Sequence, residues 1–491
     1  MGQRRLSAQD ALWLTMDRPN NLMVIDVAVV LDGDPGIERL REMFALLAQR
    51  HPVFASRAES GLLGWSWVPD PGFVVDRHVN LVDLPPGSGM DVVQRHVAEQ
   101  RSVPLERDRP LWTATLLRPV ALDAGGSGSV VLARFHHAIA DGVRLTQVML
   151  AMLDPDYASS VPRVVRSGAS SAVSVAALGA GAKGIARLTV GTTRSVVSTV
   201  SQVVSDPVGS IAGAPSVLST GFGMIRHPDR VVDVLQAYGV EDHRAVNDVT
   251  AAGKLAVGGT TRTVWTGRPG QRKAVAWSQP YPLDSVKAVA RRYRATLNDV
   301  LVAALAGAVR EYLAGRGDVV DQVTWMVPVN LEPFSADLPE DLGNHFALVM
   351  LDMPLVGDSP RERILEQRHR MRRIKNSDEP ILTFGLQRAI SLSPGRMATV
   401  LTDFFADKAV GILTNVPGPT RPLRLDGITV RQVIGFAPCS GDQPLTATIF
   451  TYAGTVTVGF ASDSDLVPDP QTLVGLVMSE LDAMAQEQNE V

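Results

Sequence analysis

A chain of 491 residues is longer than one hydrophobic core usually organises and predicts roughly two to four domains. With 47 Lys and Arg against 51 Asp and Glu, the net charge of −4 excludes a protein that coats nucleic acid by bulk charge. The 45% hydrophobic and 20% charged content is that of a globular chain, and a single cysteine, Cys439, excludes a disulfide framework and a zinc site of several cysteines.

The start, with Arg4 and Arg5 but no apolar stretch behind them, predicts no secretory signal, and Leu6 breaks the myristoylation pattern. No run of about 18 strongly apolar residues occurs, so no transmembrane helix is expected. Further along, Ile37 to Arg50 has helical periodicity and stops at His51-Pro52, and Met90 to Arg101 reads as a second helix. Leu111 to Leu117 and Ser129 to Phe135 are of strand length and composition, and a helix from Val143 to Leu153 follows them. Residues 167–225 differ in character. These 59 residues carry four charges, Lys183, Arg187, Arg194 and Asp206, among Ala, Gly, Ser and Val. The segment fits helices packed on the body, a long connection, or a lipid-facing insert. From Lys273 the α/β pattern resumes. Helices are expected at Ser285 to Tyr293, Leu297 to Leu313, Pro360 to Lys375 and Pro470 to Gln486. Strands are expected at Val323 to Pro328, Ala347 to Met353, Val410 to Asn415, Leu445 to Tyr452 and Thr455 to Ala461. The division that follows is an N-terminal half (1–165), a low-charge connecting region (166–270) and a C-terminal half (271–491).

The strand Ser129 to Phe135 runs into His136-His137-Ala138-Ile139-Ala140-Asp141-Gly142. Two adjacent histidines at the end of a buried strand are costly, because every ring nitrogen needs a partner. A neutral imidazole accepts a proton near pH 7, so His137 is the candidate general base, with His136 packing beside it or holding the loop. Asp141 stands where it can cap the next helix or pair with a cation, and Gly142 removes a side chain where the chain turns or a substrate passes. There is no G-x-S-x-G nucleophile elbow, no H-E-x-x-H and no Walker-type loop, and Cys439 reads as a small buried residue.

The heptapeptide is the H-H-x-x-x-D-G motif of acyltransferases that resemble chloramphenicol acetyltransferase and peptide-synthetase condensation domains. Further segments narrow the resemblance to the bacterial wax ester synthase/diacylglycerol acyltransferase family of mycobacterial type. They are Leu6-Ser7-Ala8-Gln9-Asp10-Ala11, Pro110-Leu111-Trp112, Leu297-Asn298-Asp299-Val300-Leu301, Gly343-Asn344 after Pro328-Val329-Asn330, Asn415-Val416-Pro417-Gly418-Pro419, Tyr452-Ala453-Gly454 and Asp465-Leu466-Val467-Pro468-Asp469. They span nearly the whole chain in order. The middle segment matches least.

The resemblance implies an α/β fold of two chloramphenicol acetyltransferase-like domains, with mixed sheets flanked by helices and an active-site tunnel between them. It implies direct acyl transfer from acyl-CoA to diacylglycerol, or to a long-chain alcohol, with no cofactor and no metal. The catalytic set would be His137, His136, Asp141 and Gly142. The substrate-binding set would be Asn298, Asp299, Pro110, Leu111, Trp112, Asn415 and Gly418. Each of the latter also has a packing role open to it: Pro110-Leu111-Trp112 as a strand start with a core Trp, Asn298 and Asp299 as helix caps, and Asn415 to Pro419 as a turn. Substrates of this kind place the protein in the cytoplasm, at the inner face of the plasma membrane or on lipid droplets, with residues 167–225 as the contact. The alternatives are acylation of another hydroxylated lipid, or a lipid-binding protein that kept the fold without the chemistry.

Overall fold

Val24–Leu31 (β2) reads Val-Ile-Asp-Val-Ala-Val-Val-Leu, and all eight residues are buried. Such a run suits an interior strand covered on both faces. The computed structural model, which describes residues 3–62, 64–123, 125–154, 261–330, 342–344, 346–375, 383, 387 and 402–487, places it centrally in a six-stranded sheet. The order across that sheet is β13 (Arg424–Leu425), β14 (Ile428–Phe436), β2, β7 (Ser127–His136), β6 (Trp112–Ala121) and β5 (Val79–Asp83). Only β5–β6 is parallel. A second, mixed sheet runs β11 (Phe346–Pro354), β10 (Gln322–Asn330), β12 (Gly411–Pro417), β15 (Leu445–Tyr452), β16 (Thr455–Asp463) and β8 (Lys273–Trp277), with β9 (Tyr281–Pro282) also on β16. A small sheet joins β1 (Arg4–Arg5), β4 (Gly64–Pro69) and β3 (Ser56–Gly61).

Eight helices among the described residues flank these sheets: α1 (Ala8–Met16), α2 (Ile37–Arg50), α3 (Met90–Gln100), α4 (Gly142–Leu153), α5 (Leu283–Arg292), α6 (Leu297–Ala314), α7 (Pro360–Lys375) and α8 (Pro470–Gln486). The two halves have separate main cores, one around β2, β7 and Trp112, the other around α6, β15 and α8. The expected strands and helices from Ile37 onward are present, with ends within a few residues. The reading by pattern passed over α1, the strands β1 to β5, and β8, β9, β13 and β14. β2 has no alternation to find, because both of its faces are buried. β14 belongs to the C-terminal part of the chain yet pairs with β2, so the split by chain position does not hold for residues 424–436. Residues 167–225, and most of the connecting region 166–270, lie outside the described residues.

Several of the family-like segments are structural. Ala453 and Gly454, at φ 47° and 79°, make the two-residue turn joining β15 to β16, where a primed turn matches the strand twist. The Tyr452 hydroxyl donates to the Val430 carbonyl at 2.9 Å and accepts from the Leu423 amide at 2.7 Å, tying the second sheet to the first. Asp469 accepts from the Tyr312 hydroxyl at 2.6 Å and from Arg316, linking the start of α8 to the end of α6.

An ion group is buried in the first sheet. Asp26 stands opposite Arg134 in the β2–β7 ladder, accepts from it at 3.1 Å, and also pairs with Arg101 beyond α3. Arg101 in turn donates to the Ala437 carbonyl at 3.2 Å, just beyond β14. Asp26→Ala leaves two buried guanidinium groups without their carboxylate. The expected cost is about 3–5 kcal/mol, far beyond that of a surface ion pair. Urea unfolding of the variant beside the wild type measures it.

Candidate active site

The histidine pair lies at the last residue of β7 and the first residue beyond it. Ladder pairing fixes His136 opposite Val24, its amide donates to the Leu111 carbonyl at 2.9 Å, and the His137 amide donates to the Met23 carbonyl at 2.8 Å. The two side chains then part. His136 is buried; its Nδ1 accepts from the Ala138 amide at 3.1 Å, so its proton sits on Nε2, 3.8 Å from the Asp17 carboxylate. It is a loop anchor. His137 turns to a cavity of about 190 Å³ between the two sheets.

That cavity is apolar. Ile25 and Phe436 line it from the first sheet, and Met326, Leu348, Ile412 and Phe450 from the second. Trp13 of α1 stacks on the His137 imidazole, with ring centroids 3.8 Å apart and planes within 15°. The Phe346 ring packs against the same imidazole, with centroids 5.7 Å apart and planes tilted by 44°. Burial pushes the His137 pKa down to about 3, and the adjacent His136 adds to the depression. Its own carbonyl and the Asn344 side chain act the other way. The ring is therefore neutral at pH 7, as an acceptor of a proton must be. His136 is lowered too, first by burial, against the pull of Asp17.

Asp141 caps α4, accepting from the Arg144 amide at 2.9 Å, while its own amide donates to the Gly343 carbonyl at 3.2 Å. It lines the cavity and holds the loop. Gly142 lines the cavity as well. A Cβ there meets only Ile25, at 4.0 Å, so a side chain would project into the space rather than into a neighbour.

The other sequence candidates separate. Asn415 lines the cavity, and its amide donates to Asn298 Oδ1 at 2.8 Å. Asn298 does not line the cavity; it holds Asn415. Neither it nor Asp299 is the N-cap. The cap of α6 is Thr296, which forms a capping box with Asp299. Gly418 is not in the cavity wall either. Its amide donates to the Thr451 carbonyl at 2.8 Å, and a Cβ would fall 2.4 Å from that oxygen, so a side chain would break the ladder. Pro110, Leu111 and Trp112 are corrected to core residues: none lines the cavity, and Trp112 is fully buried, stacked between Phe44 and His78 with Nε1 donating to the Phe54 carbonyl at 2.8 Å. Cys439 is buried and does not line the cavity, its Sγ is 3.1 Å from the Thr446 hydroxyl, and burial pushes its thiol pKa up. That is the environment of an inert thiol.

Sequence reasoning missed Trp13 and Phe346 and did not place Asn344 at the base. Asn344 donates to the His137 carbonyl at 2.9 Å and to Asp10 at 2.7 Å. The only local signal was Ser7-x-x-Asp10, a helix-start pattern that places Trp13 one turn beyond Asp10 on the same face.

Known proteins match this chain in sequence and in fold. Residues 6–301 match the family model described as the wax ester synthase/diacylglycerol acyltransferase catalytic domain, and residues 342–485 match the C-terminal domain model of the same family. A Mycobacterium tuberculosis protein named a probable diacylglycerol O-acyltransferase is 25% identical over 410 residues, which cover 82% of this chain and 77% of that protein. The structure of a wax ester synthase/diacylglycerol acyltransferase from Marinobacter aquaeolei VT8 aligns with a TM-score of 0.62 at 16% identity, covering 98% of this chain and 99% of that one. The first condensation domain of the calcium-dependent antibiotic synthetase aligns at 0.56 and 15% identity, over 100% of this chain and 97% of the other. At these identities the two structures show the shared fold.

A histidine whose folded pKa lies below its unfolded value binds fewer protons in the native state. Stability then rises with pH, is fully present above about 6.5, and falls as pH drops toward the folded value. His137 should therefore destabilise the protein progressively from pH 6.5 downward, by up to about 1.4 kcal/mol per pH unit. Unfolding free energies measured from pH 7 to pH 4.5 should show a flatter curve for His137→Gln than for the wild type.

Proposed function

The chain belongs to the wax ester synthase/diacylglycerol acyltransferase family, and from that premise we propose that it moves a long-chain acyl group from acyl-CoA to diacylglycerol. The observation that carries this reading is a neutral, buried imidazole facing an apolar cavity where the two halves meet. His137 takes the hydroxyl proton as the acceptor oxygen attacks the thioester carbonyl. The tetrahedral intermediate then expels the CoA thiolate, the C–S bond breaks, and the proton passes from His137 to sulfur. The products are the ester and free CoA, with no acyl-enzyme. Asn415 lines the cavity and gives one Nδ2 hydrogen to Asn298, which leaves the second to donate toward the oxyanion in this reading. The apolar wall suits an acyl chain, each buried methylene contributing about 0.8 kcal/mol.

Palmitoyl-CoA with diacylglycerol should give CoA release and triacylglycerol, and His137→Ala should lower kcat by at least about a hundredfold. Wild-type activity in His137→Ala would refute the base. Release with hexadecanol and none with diacylglycerol would reassign the acceptor to a fatty alcohol. No release with either would favour another hydroxylated lipid or a lipid-binding role.

The acceptor lives in bilayers and droplets, so the protein works peripherally at a lipid surface on the cytoplasmic side of the membrane. Among the described residues no helix is long and apolar enough to cross a bilayer. Residues 167–225, with three basic groups and one acidic group, are the proposed contact. Their deletion should abolish flotation with anionic liposomes; unchanged flotation would remove the contact from this segment.

A further inference from the structure

Two buried polar atoms beside the proposed base carry no hydrogen bond: His137 Nδ1 and Asn344 Oδ1. The rest of the Asn344 amide is fully engaged. Its Nδ2 spans the His137 carbonyl at 2.9 Å and Asp10 Oδ1 at 2.7 Å. Asp10 is itself fixed, because its other carboxylate oxygen accepts from the Ser7 hydroxyl at 2.7 Å within the cap of α1. One turn further along α1, Trp13 lies flat on the imidazole. The residue before Asn344, Gly343, accepts from the Asp141 amide and bridges Ala140. The 343–344 segment therefore grips the histidine loop at both ends, at His137 and at Asp141.

We propose that Asp10 and Asn344 are positioning residues that act through His137 as a relay, with Trp13 as its clamp. Asn344 Oδ1 accepts a hydrogen bond from His137 Nδ1–H, so that Nε2 faces the cavity as the basic nitrogen. When the imidazolium forms in the transition state, Nδ1–H has an acceptor. The Asp10 carboxylate polarises that acceptor through the Asn344 amide. No proton reaches Asp10; the chain orients and stabilises, as the acidic member of a serine-protease triad does. Such bonds are often long in the unliganded protein and tighten with substrate. The Trp13 face fixes the ring plane and keeps water from the imidazole. Desolvation weakens a buried base, and the Asn344 side chain offsets part of that loss. The three elements come from far apart in the chain, so the base is complete only when α1 and the second half are docked on the loop.

This inference rests on His137 being the base, and the experiment separates the two. In protein labelled with ¹⁵N-histidine, the His137 signals are assigned by their loss in His137→Gln, and the ring tautomer is read directly. The wild type should show the Nδ1–H form. Asn344→Ala should show a mixed tautomer, with kcat lower by about tenfold to a hundredfold and KM for acyl-CoA within about twofold, the pattern of a lost orienting partner. Asp10→Asn, on the partly exposed helix, should lower kcat in the same direction by less and shift the acidic limb of the kcat–pH profile. Trp13→Phe should recover most of the kcat lost in Trp13→Ala. The relay is overturned if both Asn344→Ala and Asp10→Asn keep the wild-type tautomer and kcat, or change KM alone, while His137→Gln is inactive. An active His137→Gln overturns the base itself.

Discussion

Burying the His137 ring strips water from its charged form, and the arrangement around the ring follows from that desolvation. In a solvated loop the same histidine would titrate near neutrality and move freely. Here it stays neutral, stacked under Trp13 and joined to backbone on one side and Asn344 on the other. The constraint explains why the motif ends a strand. Only the β2–β7 ladder, with both faces covered, can hold two imidazoles in fixed and opposite surroundings one residue apart.

The two histidines show how alternation along an extended chain becomes a division of labour. Successive side chains point to opposite faces. His136 goes to a site with Asp17 and a backbone amide, and it secures the loop. His137 goes to the cavity. Asp141 and Gly142 then turn the chain into α4, one as cap, the other by leaving space.

The seam between the halves is built by exchange as well as by contact. β14 leaves the C-terminal half to pair with β2, and the Tyr452 hydroxyl bonds back to it from the second sheet. The ion group of Asp26, Arg134 and Arg101 lies under the same seam and reaches the segment beyond β14. A cavity lined from both sheets is thereby held by covalent continuity and buried hydrogen bonds. Two loosely docked domains would not keep a stacked imidazole within a few tenths of an ångström.

The sequence by itself determined the family, the mixed α/β class, most element positions and the identity of His137. Those rest on local signals: periodicity, turn residues, and a short motif whose chemistry does not depend on distant chain. It could not distinguish Pro110-Leu111-Trp112 as core from the same residues as a substrate wall, since both demand apolar side chains. It could not show that Thr296, not Asn298, caps α6, or that Asn298 serves Asn415 from 117 positions away. β2 was illegible because uniform burial erases periodicity. Only the tertiary structure brought Asp10, Trp13 and Asn344 to His137, because hydrogen bonds across 207 and 334 residues and a ring stack between Trp13 and His137 leave no local pattern. The histidine motif is written in seven consecutive residues; what packs around it is decided by how two distant parts of the chain dock against them.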